Sequence, residues 1–417
     1  MNLQIHSDRI TAELEALASF SATQAPAVTR IVFSPVDLQA RSWLKQRCAA
    51  AGLTVREDAV GNTFARWIGA EPALPAVASG SHIDAIPHSG RYDGTVGVIG
   101  ALEAIRALQD AGFNPRRSIE LILFTSEEPT RFGLGCLGSR LLSGTLDLVR
   151  AASLRDAEGA ALDQVRTRAG FSGPLAGVAL PPGAYHAFVE LHIEQGPLLE
   201  RGSIPLGVVT AIAAPATLHI EIEGEGGHAG GVLMPDRRDA FAAAAEIALA
   251  VESAARSTGA VDTVATVGIC EVFPGAVNSI PSRVRMTADV RDIELERRDA
   301  LLATIRERCS AIAAARGVTV RCEVLNADAP AQSSPPVLDA LRGACEELQL
   351  TYNCMVSRAY HDSLFISRVA PTAMLFIPCR NGVSHRPDEY SSPEDIGRGT
   401  LVLAATLGRL AGIHIQP

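Results

Sequence analysis

Two hydrophobic periods alternate along this chain. Apolar positions recur every three to four residues over 8–20 and again over 34–52, which predicts two helices. Ser34 offers a cap to the second, and Gly52 ends it. Shorter branched runs follow at Leu53–Arg56 and Thr63–Trp67, with Gly61 and Asn62 as a turn between them, so this pair reads as strands. Pro75–Ser79 is a small-residue run with the look of a buried strand. A smooth helical stretch, VGVIGALEAIRALQDAG, opens at Val96–Gly97, and SIELILFT (Ser118–Thr125) is the next strand. Helical pieces broken by Gly and Pro fill 147–182, and AFVELHIEQGP, from Ala187, is another strand. Strands alternating with helices predict βαβ units and a parallel sheet.

The pattern changes near residue 210. Ala211–Ala216 reads as a linker, and Leu218–Glu223 as an alternating strand. An Ala-rich helix (Arg238–Ala255), two strands (Thr263–Ile269 and Arg283–Arg291), a second helix (Leu295–Ala315) and a last strand (Val318–Val324) follow. That order is β-α-β-β-α-β, the ferredoxin-like arrangement. After Asp328 the earlier character returns, with a helix over Leu338–Leu348, a strand over Thr372–Ile377 and a final helix from Pro393 to Leu410. The expectation is therefore a larger domain made of 1–212 and 328–417, interrupted by a smaller one at 213–327. No repeat or low-complexity tract competes with this division.

Composition changes the picture little. A chain of 417 residues can bury more than one core. Its formal net charge of -9 disfavours nucleic acid and anionic membranes as partners, though a local Arg can still hold a small anion. No apolar run is long enough to span a bilayer. The first twenty residues read as an amphipathic helix rather than a signal peptide, and the eight scattered cysteines read as reduced thiols. The expectation is a cytoplasmic protein.

Candidate chemistry gathers at strand ends. His82 closes one strand, Asp84 follows, and Asp93 sits in a Gly-rich turn just before a helix. Ligands bind at the carboxyl ends of strands in open α/β sheets. An imidazole and a carboxylate converging there suit a divalent metal, with Asp84 placed to orient the His82 ring. Glu127 and Glu128 follow the strand 118–125 directly. A lone acid pair in a loop reads as solvated charge; after a buried strand, two acids pointing different ways can serve as one ligand and one general base. His192 lies on alternating phase near the end of its strand, which fits a core histidine or a ligand. GLGCLGS (Gly133–Ser139) lacks the Lys-Ser/Thr ending of a phosphate loop.

These motifs together resemble a known family. GSHIDAIPHSGRYDG, FTSEEPTRFG, ELHIEQGPLLE, GGHAGGVLMPDRRDA, PGAVNSIPSRV with DVRD, and SRAYHD with SHRPDEYS cover nearly the whole chain. They resemble the dinuclear-metal amidohydrolases of the M20 metallopeptidase-like group that hydrolyse ureido compounds: N-carbamoyl-L-amino acid hydrolases, allantoate amidohydrolases and ureidoglycolate amidohydrolases. GGHAGGVLMP, SRAYHDSLF and IPCRNGVSHRPDEYSSPEDI are most similar to the ureidoglycolate enzymes, so the substrate implied is (S)-ureidoglycolate.

The resemblance implies a metallopeptidase-like αβα catalytic domain with an inserted ferredoxin-like α+β dimerisation domain. It implies two divalent metal ions, Mn²⁺ first, with Zn²⁺, Ni²⁺ or Co²⁺ admitted, held by His82, Asp93, Glu128, His192 and His385. Asp93 would bridge, with a cis peptide to Gly94. Glu127 would be the general base. Gln195, His228, Asn278, Arg291, Tyr360 and His361 would bind substrate, and His228 would act across a homodimer. Other ureido acids (an N-carbamoyl-L-amino acid, N-carbamoyl-β-alanine, allantoate) stand as alternative substrates. An aminoacylase or peptidase of the same group, or a scaffold that has lost activity, are more distant readings. Cys379 is the thiol expected near the site.

Overall fold

The computed structural model describes residues 3–414. It divides into two compact units. The larger takes the chain through Thr210, Ser333–Ser357 and the chain from His361 onward; the smaller takes Ala211–Gln332 and Arg358–Tyr360.

The larger unit is built on a sheet whose centre is parallel. Ala76–His82 pairs in parallel with both Ile119–Phe124 and Tyr185–Ile193, and the latter pairs in parallel with Thr372–Ile377. Antiparallel strands flank this centre: Thr63–Trp67 beside Ile119–Phe124, and Gly207–Ile212 beside Thr372–Ile377. The near-continuous apolar runs follow from burial on both faces. Ile119, Leu121 and Leu123 enter one core, which also holds Val98, Ile99 and Leu102 of the helix Thr95–Asp110 and Leu403 and Leu407 of Pro393–Ala411. Ile122 and Phe124 point the other way, into a second core with Leu137 and Leu141. This is the expected αβα layering. Gly97 lets the helix approach the sheet closely, since a Cβ there would lie 2.4 Å from the Leu191 carbonyl oxygen.

The smaller unit has a four-stranded antiparallel sheet, ordered Val264–Phe273, Arg283–Asp292, Ala214–Glu223, Thr319–Ala327. Helices Ala240–Ser257 and Leu295–Arg316 share the unit's own core with its strands, through Ile247, Val251, Leu301 and Ile305. Strand order and connections are those of the ferredoxin-like fold. Arg283–Asp292 alternates strictly between buried and half-buried positions, as one covered sheet face requires.

One reading needs correction, and two strands carried no reading in the sequence. Ala211–Ala216 is not a linker: the strands Gly207–Ile212 and Ala214–Glu223 meet there with one residue between them, and Ala211, Ile212, Ala213, Ala214 and Ala216 are all buried. Small side chains here go with close packing. The loop after His82 contains a strand, Ala85–Ser89, paired with Val28–Arg30; Pro87 and a half-polar pattern hid it. Asn353–Ser357 is also a strand, although its sequence carries little alternation.

Candidate metal centre

Because the central strands are parallel, their carboxyl ends lie at one edge of the sheet. His82 is the last residue of its strand, Glu127 and Glu128 follow the end of the neighbouring strand, and His192 lies one residue before the end of Tyr185–Ile193. Asp93 enters from the turn before Thr95–Asp110, where Gly94 has φ +65°. A Cβ on Gly94 would lie 2.4 Å from His82 Nε2, so only glycine leaves that edge of the ring free. Among the described residues the cis peptides are Ala25–Pro26 and Phe273–Pro274; the expected cis bond at Asp93–Gly94 is absent, and the left-handed glycine makes the turn instead.

Asp93 is the hub. Its Oδ1 is 3.2 Å from His192 Nε2 and 3.6 Å from His82 Nε2. Its Oδ2 is 3.2 Å from His385 Nε2, which also lies 3.2 Å from Glu128 Oε1. Two groups of donors able to hold a metal ion therefore share Asp93: His82, Asp93 and His192, and Asp93, Glu128 and His385.

The tautomers test the fit. His82 Nδ1–H donates to the Asp84 carbonyl at 3.0 Å, and His192 Nδ1–H donates to the Ile193 carbonyl at 2.9 Å. A carbonyl oxygen only accepts, so in each neutral ring the Nε2 lone pair faces carboxylate oxygens: Asp93 and Glu127 for His82, and Asp93 for His192, whose Nε2 also accepts from the Gly94 amide at 3.2 Å. Acceptors converging on acceptors require a proton or a cation between them. Buried imidazole and carboxylate donors of this kind suit a divalent metal.

The electrostatics agree. Burial alone would lower His82, but Glu127, Asp93 and Asp84 outweigh it and hold the ring well above its usual value. His385 is pushed up to about 11 by its hydrogen bonds to Asp93 and Glu128. In Asp93 burial is overcome by the three surrounding histidines, which hold it well below the carboxylate range. Glu127 goes the other way: burial, with Glu128 and Asp362 adding to it against His82, holds its carboxyl well above the usual range. The two adjacent acids thus sit in different surroundings. Glu128 faces His385, and Glu127 Oε2 lies 3.8 Å from His82 Nε2.

Asp84 supports this arrangement differently from the expectation. Its backbone carbonyl, rather than its carboxylate, orients His82. The carboxylate accepts from the Glu127 amide at 3.2 Å and the Glu128 amide at 3.0 Å, and so fixes the acid pair.

Gln195 and His361 also lie here. The Gln195 amide donates to Asp93 Oδ2 at 2.7 Å, and His361 packs edge-on against His192 with ring centroids 4.5 Å apart. The smaller unit carries the rest. His228 is exposed on a two-residue strand paired with Ser279–Ile280, and the Asn278 carbonyl accepts from the Ala229 amide. Arg291 is tied to Asp289 at 2.7 Å and to the Arg358 carbonyl at 2.8 Å, and the Tyr360 hydroxyl bonds Asp328.

Several polar residues around the centre carried no clear signal in sequence. Glu190, mid-strand and fully buried, accepts from Ser81 Oγ and Ser363 Oγ. An acid inside the apolar run AFVELHI was the available clue. Ser384 and Glu389 lie in a polar loop, where burial cannot be read. The thiol beside Glu127 is Cys136, 3.4 Å from Oε1; Cys379 instead faces the Gly196 carbonyl and is pushed up to about 12 by burial.

Residues 78–409 match peptidase family M20/M25/M40. The chain belongs to this family. Within it, the chain is 51% identical to ureidoglycolate hydrolase of Arabidopsis thaliana, over 98% of this chain and 88% of that protein. It is 38% identical to an N-carbamoyl-L-amino-acid amidohydrolase of Paenarthrobacter aurescens, over 98% of this chain and all of that one. The fold matches crystal structures of AtUAH in complex with (S)-hydroxyglycine and with glyoxylate. Both give a TM-score of 0.88 over 98% of each chain, at 50% and 51% identity. The family resemblance and the layered α/β fold expected from the motifs are thereby borne out.

Proposed function

We propose that this chain is a metal-dependent amidohydrolase that hydrolyses the ureido C–N bond of (S)-ureidoglycolate and releases ammonia. The observation that carries this reading is the 51% identity to a ureidoglycolate hydrolase over nearly the whole chain, against 38% for the carbamoyl-amino-acid enzyme. The complexes of AtUAH fit the same chemistry. Water adds at the ureido carbon, and the terminal nitrogen leaves as ammonia. The carbamate left on the other nitrogen loses carbon dioxide and gives hydroxyglycine, which gives glyoxylate on loss of its own ammonia.

His82, Asp93 and His192 would hold one divalent ion, and Asp93, Glu128 and His385 a second, with Mn²⁺ favoured by the mixed donor set and Zn²⁺, Ni²⁺ or Co²⁺ admitted. Bound there, divalent ions make water more acidic and polarise a carbonyl. Glu127 takes the proton of the attacking water and passes it to the leaving nitrogen. Arg291 offers the substrate carboxylate a two-pronged guanidinium. His228 and Tyr360 supply donors to the developing oxyanion, and Asn278, Gln195 and His361 complete the substrate contacts.

The working form would be a homodimer in the cytoplasm, with His228 and Asn278 serving the partner's site. Exposed His228 supports this, as does the sheet-edge strand Val264–Phe273 with Val264 and Ile269 exposed. Among the described residues no helix is long and apolar enough to cross a membrane.

The test is ammonia release after metal removal and Mn²⁺ reloading, from ureidoglycolate, allantoate, N-carbamoyl-β-alanine, several N-carbamoyl-L-amino acids and an N-acetyl amino acid. Preference for ureidoglycolate is expected. Preference for a carbamoyl amino acid would keep the centre and replace the substrate; preference for the acetyl compound would move the chain to the aminoacylases.

A further inference from the structure

Asp93 is shared by both donor groups, yet it sits in a turn with no strand ladder to hold it. Its backbone is held from almost three hundred residues away. Glu389 Oε1 accepts from the Tyr92 amide at 2.7 Å and from the Asp93 amide at 3.1 Å. Glu389 Oε2 is 2.9 Å from Ser384 Oγ, and that hydroxyl is 2.7 Å from Asp93 Oδ2. Glu389 therefore grips the Asp93 main chain, and the two carboxyl groups share the single Ser384 hydroxyl proton.

The place for Glu389 is built. Its residue is 4% exposed. A Cβ on Gly90 would lie 2.3 Å from Glu389 Cβ and 2.4 Å from Oε1, so a glycine makes the room. Tyr92 and Tyr390 meet edge-on at 5.9 Å, which joins the two loops beside the contact. Among the described residues no Lys, Arg or His forms an ion pair with Glu389. What the side chain offers is position: acceptors for the Tyr92 and Asp93 amides and a contact with Ser384.

We propose that Glu389 is a positioning residue for the metal centre: through the Tyr92 and Asp93 amides and the Ser384 hydroxyl it sets where the Asp93 carboxylate sits, and so how tightly a divalent ion is held. The inference rests on reading His82, Asp93, Glu128, His192 and His385 as metal ligands. Partners that orient a ligand are worth about 10–100-fold in metal affinity.

The experiment measures Mn²⁺ affinity by chelator competition in the full-length wild type, Glu389→Ala, Glu389→Gln and Ser384→Ala, with melting of each metal-free protein read separately. Glu389→Ala is expected to bind Mn²⁺ about 10–100-fold more weakly. Glu389→Gln keeps an oxygen for the two amides and a donor for Ser384, so affinity close to wild type is expected. Ser384→Ala should fall between them, and it carries the test if Glu389→Ala does not fold. Wild-type affinity in Glu389→Ala, or in Ser384→Ala where it stands in, would overturn the proposal. So would an equal loss in Glu389→Gln, which would assign the effect to charge rather than position, or a lowered metal-free melting point with affinity unchanged. A wild type that holds no divalent metal would instead bring down the reading of the centre itself.

Discussion

The two units treat their candidate functional side chains differently, with the exposed His385 as the exception in the larger one. In the larger unit His82, Asp93, Glu127, Glu128 and His192 are buried, and the second nitrogen of both histidines is already committed to a carbonyl. In the smaller unit His228 is exposed, and Arg291 is occupied by Asp289 and the Arg358 carbonyl. The difference is physical. Donors for a metal must be held before it arrives, because reorganising buried charges is expensive. Groups that meet a mobile substrate can remain solvated and exchange partners on binding.

That contrast can be broken by experiment. Stripping the metal should abolish turnover, and reloading Mn²⁺ should restore it; full turnover in a verified metal-free protein would dissolve the distinction between the units. Glu127→Gln should retain the metal and lose about 10²–10⁴-fold in kcat, the range for a lost general base. A wild-type rate in that variant would remove Glu127 from the chemistry.

Arg291→Ala should raise KM by about 10–100-fold for carboxylate-bearing substrates, as expected for a lost charge-assisted hydrogen bond. An equal loss on a neutral ureide would assign Arg291 a structural task with Asp289. His228→Ala mixed with Glu127→Gln should recover roughly one quarter of the wild-type rate in a statistical mixture of dimers, because half the molecules then carry one intact site. Verified heterodimers without recovery would place His228 at its own subunit's site.

The smallest effect sharpens the electrostatic side of the comparison. His385 holds its proton up to about 11 before metal binds, and only the deprotonated ring ligates. Metal uptake at neutral pH should therefore release protons, and affinity should fall as pH is lowered. Calorimetry in buffers of different ionisation enthalpy reads the proton count; zero release would take His385 out of the ligand set.

Some of this is legible in the sequence alone. Period-two apolar runs and capped helices locate the αβα layers and the β-α-β-β-α-β unit, because burial on one or both faces dictates those patterns. The ends of apolar strands point to His82, Glu127 and Glu128 and the Gly-rich turn to Asp93, while His192 and His385 stand out only through the family motifs. Other features stayed hidden because they depend on residues far apart in the chain. Ala211–Ala216 reads as flexible when its neighbours are unknown, and small side chains look alike in a linker and in a packed strand. Glu389 reads as a solvated acid in a polar loop until Tyr92, Asp93 and Ser384 close around it. Likewise, only the fold reveals that Gln195 holds Asp93, that the Asp84 carboxylate fixes the acid pair, and that Cys136 rather than Cys379 lies beside Glu127. Sequence by itself determined the elements, the layers and the chemical identity of the donors, because local period and side-chain type carry those. Tertiary structure alone decided which atom each donor faces and what holds it there, because hydrogen bonds between residues tens to hundreds of positions apart leave no periodic trace in the chain.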